Sequence, residues 1–190
     1  VSSNLFLPPF SCGLNLQGID LAPDGSSLMV ADDVKVASQC RVWVIDLATE
    51  VVQAISYDPY YDEAGTRWVA FGNDGVALVS PGGSGATPLH RIHPNGTITD
   101  LGAGLIGSFE LGSFLGVSPD GGIVAITEHL STASKVFRYS VTNQTLTYGG
   151  TGAGWTGDYR PAVSSGGAQL AAPTTYTGTF IFDSNFNVIT

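Results

Sequence analysis

One short phrase recurs along this chain. It reads Leu21-Ala22-Pro23-Asp24-Gly25, then Phe71-Gly72-Asn73-Asp74-Gly75, then Val117-Ser118-Pro119-Asp120-Gly121. A worn fourth copy is Val163-Ser164-Ser165-Gly166-Gly167, with Gly166 where the aspartate stood. The aspartate positions lie 50 and 46 residues apart, and the fourth copy lies a further 46 on. A turn repeated at a period in the mid-forties means a chain built from stacked units, each too small to bury its own apolar face.

Each unit reads as four short strands. In the third copy Phe114–Val117 is followed by the Pro119-Asp120-Gly121 turn, where glycine supplies the positive φ. Ile123-Val124-Ala125-Ile126 is an unbroken apolar run, the mark of a strand buried on both faces. Lys135–Tyr139 and Thr145–Tyr148 complete the unit. The second copy closes on Asn95-Gly96, a strong hairpin signal. In the fourth, Val188-Ile189 begins the last strand. No stretch of a dozen residues keeps helical periodicity, because Gly and Pro interrupt it, so almost no helix is expected.

Four-stranded units at this period, with this turn, resemble the blades of β-propellers of the extracellular type that carry Ser-Pro-Asp-Gly turns, including the YVTN and WD40-like PD40 repeats. The resemblance covers nearly the whole chain. It implies an all-β propeller unit of four four-stranded blades, at about 15–56, 66–101, 113–148 and 159–190, within a single domain spanning 1–190. The Trp-Asp and Gly-His signatures of true WD40 blades are missing. This turn grammar belongs to rings of six to eight blades, so half a ring is expected, completed by a second copy of the chain or by a missing segment. A haemopexin-like ring of four would be closed by a disulfide from first to last blade, whereas Cys12 and Cys40 both fall in or before the first.

Composition narrows the chemistry. Only 12% of the 190 residues are charged and 43% are hydrophobic, so Ser, Thr, Asn and Gly must build the polar surface. That style fits a secreted, extracellular or periplasmic protein. A net charge of −9 with seven Lys and Arg excludes nucleic acid and anionic membrane surfaces as natural partners. No apolar run reaches the roughly 18 residues of a membrane span. No signal segment opens the chain, and it starts on Val1 rather than Met, which reads as a processed or excised sequence. Cys12 and Cys40 are either a disulfide, worth roughly 3–4 kcal/mol through loop closure, or two free thiols. Asn95-Gly96-Thr97 and Asn143-Gln144-Thr145 match the N-glycosylation acceptor pattern.

Ligands of propellers sit where the loops between blades converge. The segment 57–67 is one such loop, with Asp58, Tyr60, Tyr61, Asp62 and Arg67 as a ligand rim: aromatic faces stack on sugars or cations, and carboxylates accept hydrogen bonds. The alternative is a solvated connection. A second loop carries Trp155, Asp158, Tyr159 and Arg160. Arg67 and Arg160 could instead each pair with a carboxylate from a neighbouring loop. Asp32, Asp33 and Glu128 follow inner strands of blades one and three and offer oxygens to a Ca²⁺ ion, or cap their own turns. His129 is the single candidate for a general base, with Glu128 beside it. His90 and His93, three apart on a strand, point to opposite faces and cannot share a metal. No nucleophile motif and no phosphate loop appear. The expectation is a non-catalytic binding or scaffold module for a protein or glycan ligand. The alternatives are a metal-dependent, lactonase-like hydrolase or lyase, and a structural subunit that completes a ring with a second chain.

Overall fold

In a computed structural model the described residues are 15–36, 38–59, 63–83, 88–101, 113–128, 133–153, 160–174 and 178–189. They form four antiparallel sheets in chain order. The first holds β1 (Leu16–Leu21), β2 (Ser27–Val36), β3 (Gln39–Asp46) and β4 (Val52–Tyr57). The second holds β5 (Glu63–Phe71), β6 (Ala77–Gly83), β7 (Leu89–Ile92) and β8 (Ile98–Leu101). The third holds β9 (Ser113–Val117), β10 (Ile123–Glu128), β11 (Ala133–Ser140) and β12 (Thr145–Ala153). The fourth has three strands, β13 (Ala162–Val163), β14 (Gln169–Thr174) and β15 (Gly178–Asp183). Its expected fourth strand is reduced to one bridge, Phe182 to Val188. Within the described residues the only helical turn is a 3₁₀ turn at Ser165–Gly167.

Every sheet runs up and down between neighbours, so the chain meanders outward from β1, β5, β9 and β13. Those four first strands meet one another in sequence, β1 on β5, β5 on β9, β9 on β13. The sheets are therefore blades stacked side by side around a common inner edge.

The repeated phrase makes the same turn four times. Gly25, Gly121 and Gly167 donate to the carbonyls of Ala22, Ser118 and Ser164, and Gly75 donates to Gly72. Their φ values are 70°, 68°, 69° and 77°, a region open to glycine at no steric cost. We call the end of the blades that carries these turns the lower rim and the opposite end the upper rim.

Alternation along the second strands explains the packing. Val124 and Ile126 enter the core between blades two and three. Ile123 and Ala125, pointing the other way, enter the core between blades three and four. In blade two, Leu78 serves one seam while Ala77 and Val79 serve the other. Burying side chains of this size contributes about 1.5–3 kcal/mol each, and no blade could bury them alone. The outermost blades show what happens without a neighbour. Ile19 and Leu21 pair with Val30 and Leu28, on the opposite face from Met29, and stay about half exposed at 53% and 48%. Val188 and Ile189 of the last blade are likewise exposed.

Inner strands lie close enough to touch backbone to backbone. A Cβ on Gly116 of β9 would fall 1.9 Å from the carbonyl oxygen of Pro161. In the first seam Asp20 of β1 accepts a hydrogen bond from the Phe71 amide at 2.8 Å. At the lower rim Asn73 donates its amide to the Gly121 carbonyl at 2.9 Å, and Asp120 Oδ2 accepts from the Gly166 amide at 2.9 Å. The turns thus fasten successive blades together.

Candidate functional site

The upper rim concentrates the buried polar chemistry of the chain. Asp32, Glu63, Thr66 and Glu128 are fully buried, and His90 and Arg41 nearly so. Asp32 and Asp33 do not follow β2, as the sequence suggests, but lie within it, because that strand runs on to Val36 through an irregular register after Asp32. Asp32 Oδ2 accepts from Arg41 Nε at 2.8 Å and from Trp43 Nε1 at 3.1 Å. The Arg41 guanidinium lies over the Trp43 ring, 4.5 Å from its centroid. Thr66 of blade two closes the seam, accepting from the Asp32 amide at 2.7 Å and donating to the Arg41 carbonyl at 2.6 Å.

Asp33 takes a different partner, Arg67 of blade two, through Nε at 3.2 Å and Nη2 at 3.1 Å. This corrects the reading of 57–67 as a single loop. Glu63 opens β5, and Arg67 sits in mid-strand as the partner of a carboxylate in the adjacent blade. Glu128, the last residue of β10, pairs with Lys135 Nζ at 3.2 Å. The three proposed calcium ligands are therefore each held by their own cation, two in blade one and one in blade three. Among the described residues no three His, Cys, Asp or Glu side chains are grouped to hold a metal ion.

Arg160 donates to the carbonyl of Leu115 at 2.7 Å, across the seam between blades three and four, rather than to a carboxylate. Asp58 lies at the exposed edge, accepting from Gln39 Nε2 at 3.3 Å. Tyr60, Tyr61, Asp62, His129, Trp155, Asp158, Tyr159 and Cys12 lie outside the described residues.

One constellation escaped the sequence. His90 of β7 lies between two carboxylates, with Nε2 2.5 Å from Glu63 Oε1 and Nδ1 2.9 Å from Asp100 Oδ1. Its ring packs against Tyr57 of β4, centroids 4.6 Å apart. Burial favours the neutral imidazole, but the hydrogen bonds and charges of Glu63 and Asp100 outweigh it and raise the pKa above 6.5. His93 lies in the β7–β8 turn, near Thr99 Oγ1 at 3.2 Å, away from this cluster. The visible signal was the two-residue offset between the inward His90 and the apolar Ile92, but Glu63, 27 residues earlier, gave no local hint of a partner.

Cys40 belongs to the same cluster. It is a free, fully buried thiol, so of the two readings of Cys12 and Cys40 the disulfide is not seen. Burial, then the Glu63 charge, pushes its pKa up to about 12. A thiol so poised is neither nucleophile nor ready metal ligand. In a Cys12→Ser variant, Cys40 should stay unlabelled by a thiol-specific reagent at pH 8 and react fully once the chain is unfolded. Labelling of the native variant at the rate of a small free thiol would contradict this burial.

No protein-family model matches the chain, and no curated protein matches it. Solved structures do. A candidate 6-phosphogluconolactonase from Bacteroides uniformis superposes with a TM-score of 0.62 at 15% identity, covering 92% of this chain and 53% of that one. TolB from Acinetobacter baumannii gives 0.61 at 16% identity, covering 93% and 44%. The Dos1 propeller gives 0.65 at 14%, covering 89% and 45%. The fold is that of a β-propeller. The chain spans about half the length of these structures, and likeness at such identities carries the fold alone.

Proposed function

We propose that this chain is part of a non-catalytic binding or scaffold propeller working outside the cell or in a periplasm. Its ligand, a glycan or a protein surface, is carried on the upper loop face, with the Tyr60-Tyr61 segment and the 155–160 loop as the contact rim. The exposed apolar faces of the first and last blades take the rest of the ring, supplied by further chain or by a second copy. One observation carries the reading: the buried acids and bases described at the upper rim are already engaged with charged partners. Asp32 holds Arg41, Asp33 holds Arg67, Glu128 holds Lys135, and His90 is bonded by carboxylates at both nitrogens. Groups bound in this way brace the blades and leave the contact to the loops above them.

A glycan array tests this. The chain should retain at least one class of glycan, and Tyr60→Ala with Tyr61→Ala should lower its affinity roughly tenfold, as expected for losing two stacking rings at about 0.5–1.5 kcal/mol each. Metal-stimulated lactone hydrolysis that Glu128→Gln abolishes would overturn the reading in favour of a lactonase-like enzyme.

A further inference from the structure

A crevice opens between blades one and two at the lower rim, far from the upper-rim cluster. Its volume is about 740 Å³, within the range of roughly 300–1,000 Å³ typical of small-molecule sites. Met29, Val44, Ile55, Phe71 and Ile92 form an apolar floor. Asp24, Asp46, Asp74 and His93 stand at its mouth.

The crevice exists because this seam lacks a stopper that the others have. In each of blades two, three and four the outer hairpin turn places one residue at positive φ, donating its amide three residues back: Gly96 to His93, Gln144 to Val141, Phe186 to Asp183. In the last seam Phe186 lies flat on blade three, so close that a Cβ on Gly149 would sit 2.0 Å from its ring. In the middle seam Gln144 accepts from Arg91 of blade two at 3.3 Å, and Arg91 lies over the Tyr139 ring. In the first seam the position is Gly96, and a Cβ there would meet nothing within 4 Å. Phe71 is also the only aromatic side chain in the described core of that seam, where the others hold Phe137 with Tyr139 and Phe182 with Phe180.

The mouth is acidic, and among the described residues no Lys or Arg lines it. Each of its carboxylates holds its own turn through Oδ1. Asp24 accepts from Ser26, Asp46 from Ala48 and Thr49, Asp74 from Val76. Among the described residues Oδ2 of Asp24 and of Asp74 accepts no hydrogen bond. Hydrogen bonds from Ser26 and Thr49 hold the Asp24 and Asp46 carboxyls below their usual range, so both are ionised at neutral pH.

We propose that this crevice binds an organic cation with an apolar body, the body resting on the Met29–Ile92 floor and a protonated amine facing the carboxylates of Asp24, Asp46 and Asp74. The site is independent of any ligand at the upper rim.

Three probes of one shape test it by ligand-observed NMR on the full chain: phenethylamine, phenethyl alcohol and phenylacetate. Phenethylamine should bind at millimolar concentration or better, roughly tenfold more tightly than the alcohol, and phenylacetate should not bind, as charge complementarity requires. Added salt should weaken the amine and leave the alcohol unchanged. Asp46→Asn with Asp74→Asn, both at the surface, should weaken amine binding severalfold, toward the level of the alcohol. Ile55→Trp should block both. Equal binding of the three probes, amine binding unmoved by the double asparagine variant, or no amine binding at about 10 mM would each overturn the proposal.

Discussion

Replacing Glu63 with glutamine should cost the chain about 3–5 kcal/mol, the usual penalty for removing one partner of a buried ion pair. Glu63 is fully buried and its Oε1 meets His90 Nε2 at 2.5 Å. The amide would leave a nearly buried imidazolium facing Asp100 alone, whose side chain is 45% exposed and screened by water. Against a typical total of about 5–15 kcal/mol, the urea midpoint should fall by roughly a fifth or more. The pH dependence identifies the cause. Because the folded pKa of His90 is raised, the charged pair stabilises fully below about 6.5, and that contribution is lost as pH rises through the folded value. The gap between wild type and Glu63→Gln should therefore be widest in mild acid and narrow on the alkaline side. A gap of constant size from pH 6 to pH 9 would mean that packing, not charge, is what Glu63 provides.

A single methyl group should do comparable damage at the inner edge. In Gly116→Ala the new Cβ meets the Pro161 carbonyl oxygen at 1.9 Å and its carbon at 2.8 Å. Both are backbone atoms, so no side chain can turn aside. Arg160, bonded to the Leu115 carbonyl, holds the same segment down. The seam between blades three and four must open, and the Ile123–Leu170–Phe182 core behind it loosens with it. A loss of about 3 kcal/mol is expected, at the upper end of ordinary overpacking. Gly122→Ala is the control, since its Cβ would have ordinary contacts at 3.8 Å and should shift the midpoint by no more than about 0.5 kcal/mol. Equal midpoints for the two variants would refute the close approach of β9 to Pro161.

The architecture was legible because it is written locally. The Pro-Asp-Gly turns carry their own φ requirement, and the apolar run at Ile123–Ile126 announces a strand with two buried faces before any partner is known. The upper rim was not legible, because its pairs join residues of different strands and, for Asp33 and Arg67, of different blades. Asp33 and Arg67 are 34 residues apart, Glu63 and His90 27. Strand alternation failed at the decisive place. The register of β5 on β6 shifts between Glu63 and Gly65 and again between Thr66 and Trp68. These bulges turn both Glu63 and Thr66 inward, so a stretch that reads as a polar loop becomes a buried strand end. The crevice was hidden for a related reason. Gly96 looks like any hairpin glycine, and its meaning emerges only beside Gln144 and Phe186 in the equivalent turns.

The aspartate of the third turn has a wider consequence. Asp120 gives one oxygen to Ser118 of its own turn and the other to the backbone of the fourth. Adjacent units are then thermodynamically linked like sites on a one-dimensional lattice. A lesion at that carboxylate is inherited by the unit that follows it, so the three-stranded terminal sheet borrows part of its order from a residue it does not contain.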